Sequence, residues 1–110
     1  MQKIGSVALV IPDYDAAIAF YVGTLGFALL SDIDLGGGKR WVTVAPPGDG
    51  TALLLAKAVG PEQEAAIGNQ TGGRVGFFLE TDDFERDYAA MMAAGVPFEE
   101  PPRHESYGSV

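Results

Sequence analysis

In the stretch RVGFFLE an extended chain would point Arg74, Gly76, Phe78 and Glu80 one way and Val75, Phe77, Leu79 and Thr81 the other. A cation, an aromatic ring and a carboxylate on one face are groups that orient a small polar ligand. Their competing use is as solvated strand ends, or as a weak surface ion pair. The same parity in the first apolar run groups Ser6 with Ala8 and Val10. Trp41, the one tryptophan, stands two residues from Thr43 in RWVTVA. Its ring could stack on a planar ligand beside a hydroxyl, with core packing or a subunit contact as the alternative use.

Other chemistry is poorly provided for. The one histidine, His104, can form no His pair for a metal, and with Pro101 and Pro102 before it and Glu105 beside it, an exposed loop is expected. Without cysteines there is no thiolate nucleophile, thiolate metal site or disulfide. Asp13, Asp15, Asp82 and Asp83 are better explained as helix caps than as acid and base pairs. Gly36 to Gly38 lacks the spacing and the lysine of a phosphate loop. Net charge is −8, and the seven Lys and Arg residues are scattered, which argues against nucleic acid and anionic membrane as partners. A secretory leader and a membrane-spanning run are both missing from the pattern, so a cytoplasmic protein is expected.

Several elements must position these side chains. Ile4 to Ile11 reads as a strand apolar on both faces, hence central and buried. Pro12 stops it, and Asp13 caps a helix whose apolar stripe is Ala17, Phe20, Tyr21 and Leu25, ended by Gly26. Phe27 to Leu35 and Arg40 to Ala45 form a hairpin around the three glycines, and the cluster from Pro46 to Gly50 turns into a strand over Thr51 to Ala56. Gly60 to Gly73 is a linker holding a helical turn or two, with Pro61 at its start. Arg74 to Glu80 is predicted as a strand, followed by a helix capped by Asp82 or Thr81 and ended by Gly95, where Met91 and Met92 serve as core or interface filler. Val96 to Glu99 and Tyr107 to Val110 are predicted as strands.

Laying Asp13 on Asp82 also lays Gly26 on Gly95 without a gap, and VALVI falls near GFFLE. The chain therefore carries an internal repeat. A repeated β-α-β-β-β unit and the motif Asp13, Ala17, Phe20, Tyr21, Leu25, Gly26, Phe27 resemble the vicinal oxygen chelate superfamily of glyoxalase I, bleomycin and fosfomycin resistance proteins and extradiol dioxygenases. The resemblance implies an α+β fold of two βαβββ modules, paired around a cleft. It implies one domain over 1–110, with module one over about 1–58, a linker over about 59–73 and a second module over about 74–110. That second module is truncated at its C-terminal strands, which leaves a sheet edge open to pairing with another chain.

Family members hold a divalent metal by His or Glu on the first and last strands of each module. The corresponding positions here are Ser6, then Leu54 or Leu55, then Gly76 or Arg74, with the fourth beyond Val110. These side chains do not suit a metal. The resemblance thus implies a protein that binds a small organic molecule in a cleft without a catalytic metal or other cofactor, working as a homodimer. Ser6, Trp41, Thr43, Arg74, Phe78 and Glu80 are the expected ligand-binding residues. Two alternatives stay open: a metal-dependent lyase or extradiol-type dioxygenase, and a non-catalytic interaction module.

Overall fold

Four strands rich in aliphatic residues, β1 (Ser6–Ile11), β2 (Ala28–Gly36), β3 (Lys39–Ala45) and β4 (Ala52–Lys57), form one sheet in the order β1-β4-β3-β2. The computed structural model describes every residue from Met1 to Val110. β1 runs parallel to β4, and the remaining neighbours are antiparallel. Gly36, Gly37 and Gly38 all take positive φ where β2 turns into β3, a conformation that residues with a Cβ adopt at a cost. Leu30 is the extra residue of a bulge, because the register jumps between Leu29 and Ser31.

Asp13 opens helix α1 (Tyr14–Ile18) by accepting a hydrogen bond from the Ala16 N–H at 2.8 Å. Ala19–Thr24 then widen into a π-helical turn, with the Leu25 N–H reaching the Phe20 carbonyl at 2.9 Å. Gly26, at φ 79°, ends it. Tyr14 and Ala17 pack with Phe27 on Leu9, Ile11, Val42, Val44, Leu53 and Leu55. Val42, Val44 and Leu55 are fully enclosed, and each such side chain contributes about 1.5–3 kcal/mol by leaving water. Tyr21 is half-buried against this core, and burial pushes its hydroxyl above the usual tyrosine range. A short helix, α2 (Gly60–Ala66), carries Pro61 in its first turn and packs near β1.

The chain forms two compact units, Met1–Phe78 and Leu79–Val110. In the second, Asp83 caps α3 (Phe84–Ala93) through the Arg86 N–H at 3.1 Å. Gly95 ends it at φ 84°, with its own N–H on the Met92 carbonyl and the Val96 N–H on that of Met91. Two short strands, β5 (His104–Glu105) and β6 (Gly108–Ser109), pair as a hairpin. No residue of this unit is buried. None of the helices is long and apolar enough to cross a membrane.

Four expectations are corrected. β1 is an edge strand and not a central one: only Leu9 and Ile11 are buried, while Ser6, Val7 and Ala8 are exposed. Arg74 to Glu80 and Val96 to Glu99 join no ladder, since strand composition makes a strand only where a neighbour supplies donors and acceptors. His104 sits in a strand pair, exposed, and not in a loop. The cap of α3 is Asp83, and Thr81 instead accepts the Asp83 N–H at 3.0 Å. The π turn explains this slip: it takes up one more residue between Asp13 and Gly26 than α3 needs between Asp83 and Gly95.

Candidate functional site

The sheet has one face covered by α1 and one left open, and strand parity decides what each carries. Leu9, Leu55 and Val42 are register partners in adjacent strands and all lie in the core. Their neighbours along each strand must point outward. Ala8, Leu54, Thr43 and Ser31 therefore form one row across all four strands of the outer face. On one side of it stand the pairs Ser6–Ala52 and Ala45–Ala28, and on the other Val10–Ala56 and Trp41–Ile33.

The residues grade in size along the strands. Ser and Ala fill the first row, and Val, Trp and Ile stand in the last. Trp41 is 43% exposed and Ile33 53% exposed, so the large end of the face is open to solvent. Thr43 is 8% exposed, and its hydroxyl lies 2.5 Å from that of Ser31. Ser31, Thr43 and Ser6 are the polar side chains of the three rows. No carboxylate or imidazole stands among them, and nowhere in the chain do three His, Cys, Asp or Glu residues gather in a geometry suited to a metal ion.

Of the residues expected at the site, Ser6, Trp41 and Thr43 thus share the outer face. Leu54 lies between Ala8 and Thr43 on it, whereas Leu55 points into the core. Aliphatic and hydroxyl groups at Ser6 and Leu54 do not fit a divalent cation. Arg74 and Phe78 lie in the unpaired stretch of the same unit, Phe78 82% exposed and Arg74 holding only a backbone contact with the Thr71 hydroxyl. Glu80 is exposed and belongs to the second unit. Ser31 and Ile33 were missed from the sequence because the Leu30 bulge breaks the alternation on β2. Their signal was the pairing of β2 with a β3 strand already holding Trp41 and Thr43.

The charged groups gather elsewhere. Arg40, which follows the core parity of β3, donates to Asp32 through Nε at 3.0 Å and Nη2 at 2.7 Å, and to Asp15 at 2.9 Å. Its guanidinium also lies 5.1 Å from the centre of the Tyr14 ring. Hydrogen bonding to Arg40 holds the Asp32 carboxyl below its usual range. These contacts tie the hairpin to α1 and hold Asp15, Asp32 and Arg40 together away from the outer face, where the charged side chain of β3 is Lys39, two residues before Trp41.

The second unit has an apolar hollow of about 330 Å³ bounded by Leu79, Phe84, Tyr88, Met91 and Phe98. Phe84 and Tyr88 stack one turn apart at 6.1 Å, and Tyr88 meets Phe98 edge-on at 5.0 Å. Arg86, beside Asp82, Asp83 and Asp87, makes only exposed ion pairs.

A model of the Glyoxalase/Bleomycin resistance protein/Dioxygenase superfamily matches residues 3–110. An uncharacterized protein of Shewanella frigidimarina (strain NCIMB 400) is 53% identical over 99% of this chain and 82% of its own length. Among solved structures, UcmS2 superposes with a TM-score of 0.80 at 28% identity, over 99% of this chain and 86% of that one. TnmS3, an antibiotic binding protein from Streptomyces sp. CB03234, gives a TM-score of 0.65 at 32% identity, over 86% of this chain and 72% of that one.

Proposed function

This chain belongs to the glyoxalase/bleomycin resistance protein/dioxygenase superfamily, and from that premise we propose that it binds a small, largely apolar, planar organic molecule on the outer face of the β1–β4 sheet. The observation that carries the reading is the composition of that face. Trp41 and Ile33 offer an exposed apolar surface, Ser6 and Ser31 offer hydroxyls, and the three rows themselves carry no charged side chain. The antibiotic-binding neighbour TnmS3 supports the same reading.

Binding here is metal-free, because the side chains at Ser6 and Leu54 supply neither imidazole nor carboxylate. Trp41 stacks on the ligand ring, while the hydroxyl of Ser6 stands on the same face two strands and two rows away, at its far corner. The unit that binds is a homodimer, in which Arg74, Phe78 and Glu80 complete the site. The protein works in the cytoplasm and sequesters its ligand without transforming it.

Titration of the chelator-stripped protein with planar aromatic antibiotics, read by Trp41 fluorescence, tests this directly. Saturable quenching is the expected result. A flat response across a chemically broad panel overturns it, and so does stoichiometric, micromolar binding of nickel, zinc, manganese or ferrous iron measured by calorimetry.

A further inference from the structure

Past Trp41 the outer face runs on along one hairpin. β1 and β4 end one residue beyond the Val10–Ala56 pair, whereas β2 and β3 continue to the pair of Gly36 with Lys39. Lys39 is two residues from Trp41, so it takes the same side of β3, about 7 Å further along the strand. It is exposed. Its register partner Gly36 has no side chain, and open space lies where a Cβ at Gly36 would stand. Nothing across the hairpin therefore crowds the ammonium group.

The other cations are engaged or face elsewhere. Arg40, Arg86 and Arg103 hold carboxylates, and Lys3, Lys39, Lys57 and Arg74 form no ion pair within the chain. Lys57 is the register partner of Ile11 and follows the core parity of β4, Lys3 precedes β1, and Arg74 lies outside the sheet. Lys39 is thus the unpaired cation of the outer face. The acids of the hairpin stand on its other side. Asp32 and Asp34 are partners of Val42 and Arg40, with Asp32 bonded to Arg40 and the Asp34 carboxylate accepting the Gly36 N–H at 2.8 Å.

We infer that the ligand of the outer face is a planar aromatic acid, its ring on Trp41 and its carboxylate held by Lys39. The inference rests on the stacking reading above and adds the ligand's charge. A lysine ammonium is a flexible point charge that donates charge-assisted hydrogen bonds to a carboxylate. Its offset along β3 suits a group on the rim of a fused ring system whose middle covers Trp41. With a net charge of −8 the chain as a whole repels an anion. An acid is therefore retained only where an unpaired cation stands beside the surface that takes its ring, and a cationic ligand would meet Lys39 as a like charge.

Calorimetric titration at low salt with anthracene-2-carboxylate and with its neutral carboxamide tests this. Wild type should favour the carboxylate by at least about fivefold, the scale of an exposed ion pair. Lys39→Gln should bring the two compounds within about twofold of each other, and Lys39→Arg should keep the preference. Lys57→Gln removes the same charge from the opposite face and should also keep it. Because Lys39 is exposed and unpaired, Tm should stay near wild type in Lys39→Gln. Equal affinities in wild type, a preference for the carboxamide, or a carboxylate preference that survives Lys39→Gln or is lost in Lys57→Gln overturns the acid and leaves the stacking platform standing. Failure of both compounds to bind overturns the platform and the acid together.

Discussion

Arg40 grips Asp32 with two N–H donors, Nε at 3.0 Å and Nη2 at 2.7 Å, across the strand pair that turns at the three glycines. With Nη1 on Asp15, the same guanidinium closes the hairpin against the first turn of α1. This geometry links folding to pH. Hydrogen bonding to Arg40 lowers the Asp32 carboxyl below its ordinary value, so its stabilising contribution is present above the unfolded value of about 3.9. It is lost as pH falls through the depressed folded value. Asp32→Asn should lower Tm by a few degrees at neutral pH, and the gap to wild type should close in strong acid. A gap of equal size at both ends of a pH series of thermal melts would refute the assignment.

Which face of β4 carries the core can be tested inside one dipeptide. Leu55 is fully enclosed and Leu54 only partly so. Leu55→Ala should cost about 2–5 kcal/mol in denaturant unfolding. Leu54→Ala should cost well under half as much, because water already reaches the outer face. Equal losses would mean that the outer face is covered as fully as the inner one.

Much of this arrangement was legible in the sequence, and the exceptions have local causes. Asp13 and Gly26 delimit the first helix because a cap acceptor and a residue tolerant of positive φ are local requirements. The hairpin follows for the same reason from Gly36 to Gly38. What depends on a distant partner was not legible. VALVI reads as a central strand, yet its neighbours are chosen by β4, so it lies at the edge. RVGFFLE reads as a strand and stays unpaired, since composition cannot state whether another segment lies alongside. The outer-face residues Ser31 and Ile33 were hidden by the Leu30 bulge, and the Gln70 side-chain amide bonds the backbone of Val10 sixty positions away.

The identity of the second cap separates two otherwise equivalent aspartates. Asp83 accepts the Arg86 N–H at 3.1 Å, whereas Asp82 meets only the Arg86 side chain. Asp83→Ala should reduce the stability of α3 by about 1 kcal/mol, visible as faster hydrogen exchange at the Arg86 amide. Asp82→Ala should leave that amide protected, because its exposed ion pair contributes little. Exchange enhanced by the second substitution and not the first would restore the cap expected from the sequence.

Trp41 and Thr43 stand on one face of β3 and should contribute unequally to ligand binding. Trp41 presents a half-exposed ring with no hydrogen-bonding duty in the chain, so Trp41→Leu should keep Tm near wild type while weakening a planar aromatic ligand about tenfold. The Thr43 hydroxyl is enclosed and already bonded to Ser31. Thr43→Val would leave the Ser31 hydroxyl without that partner, so its effect should fall on stability, with affinity changed by less than threefold. Calorimetry is the suitable readout, since the tryptophan itself is removed. Were Thr43→Val to abolish binding while Trp41→Leu left it untouched, the ligand would be engaging the hydroxyl pair and not the ring. The outer face would then be a polar subsite in place of a stacking platform.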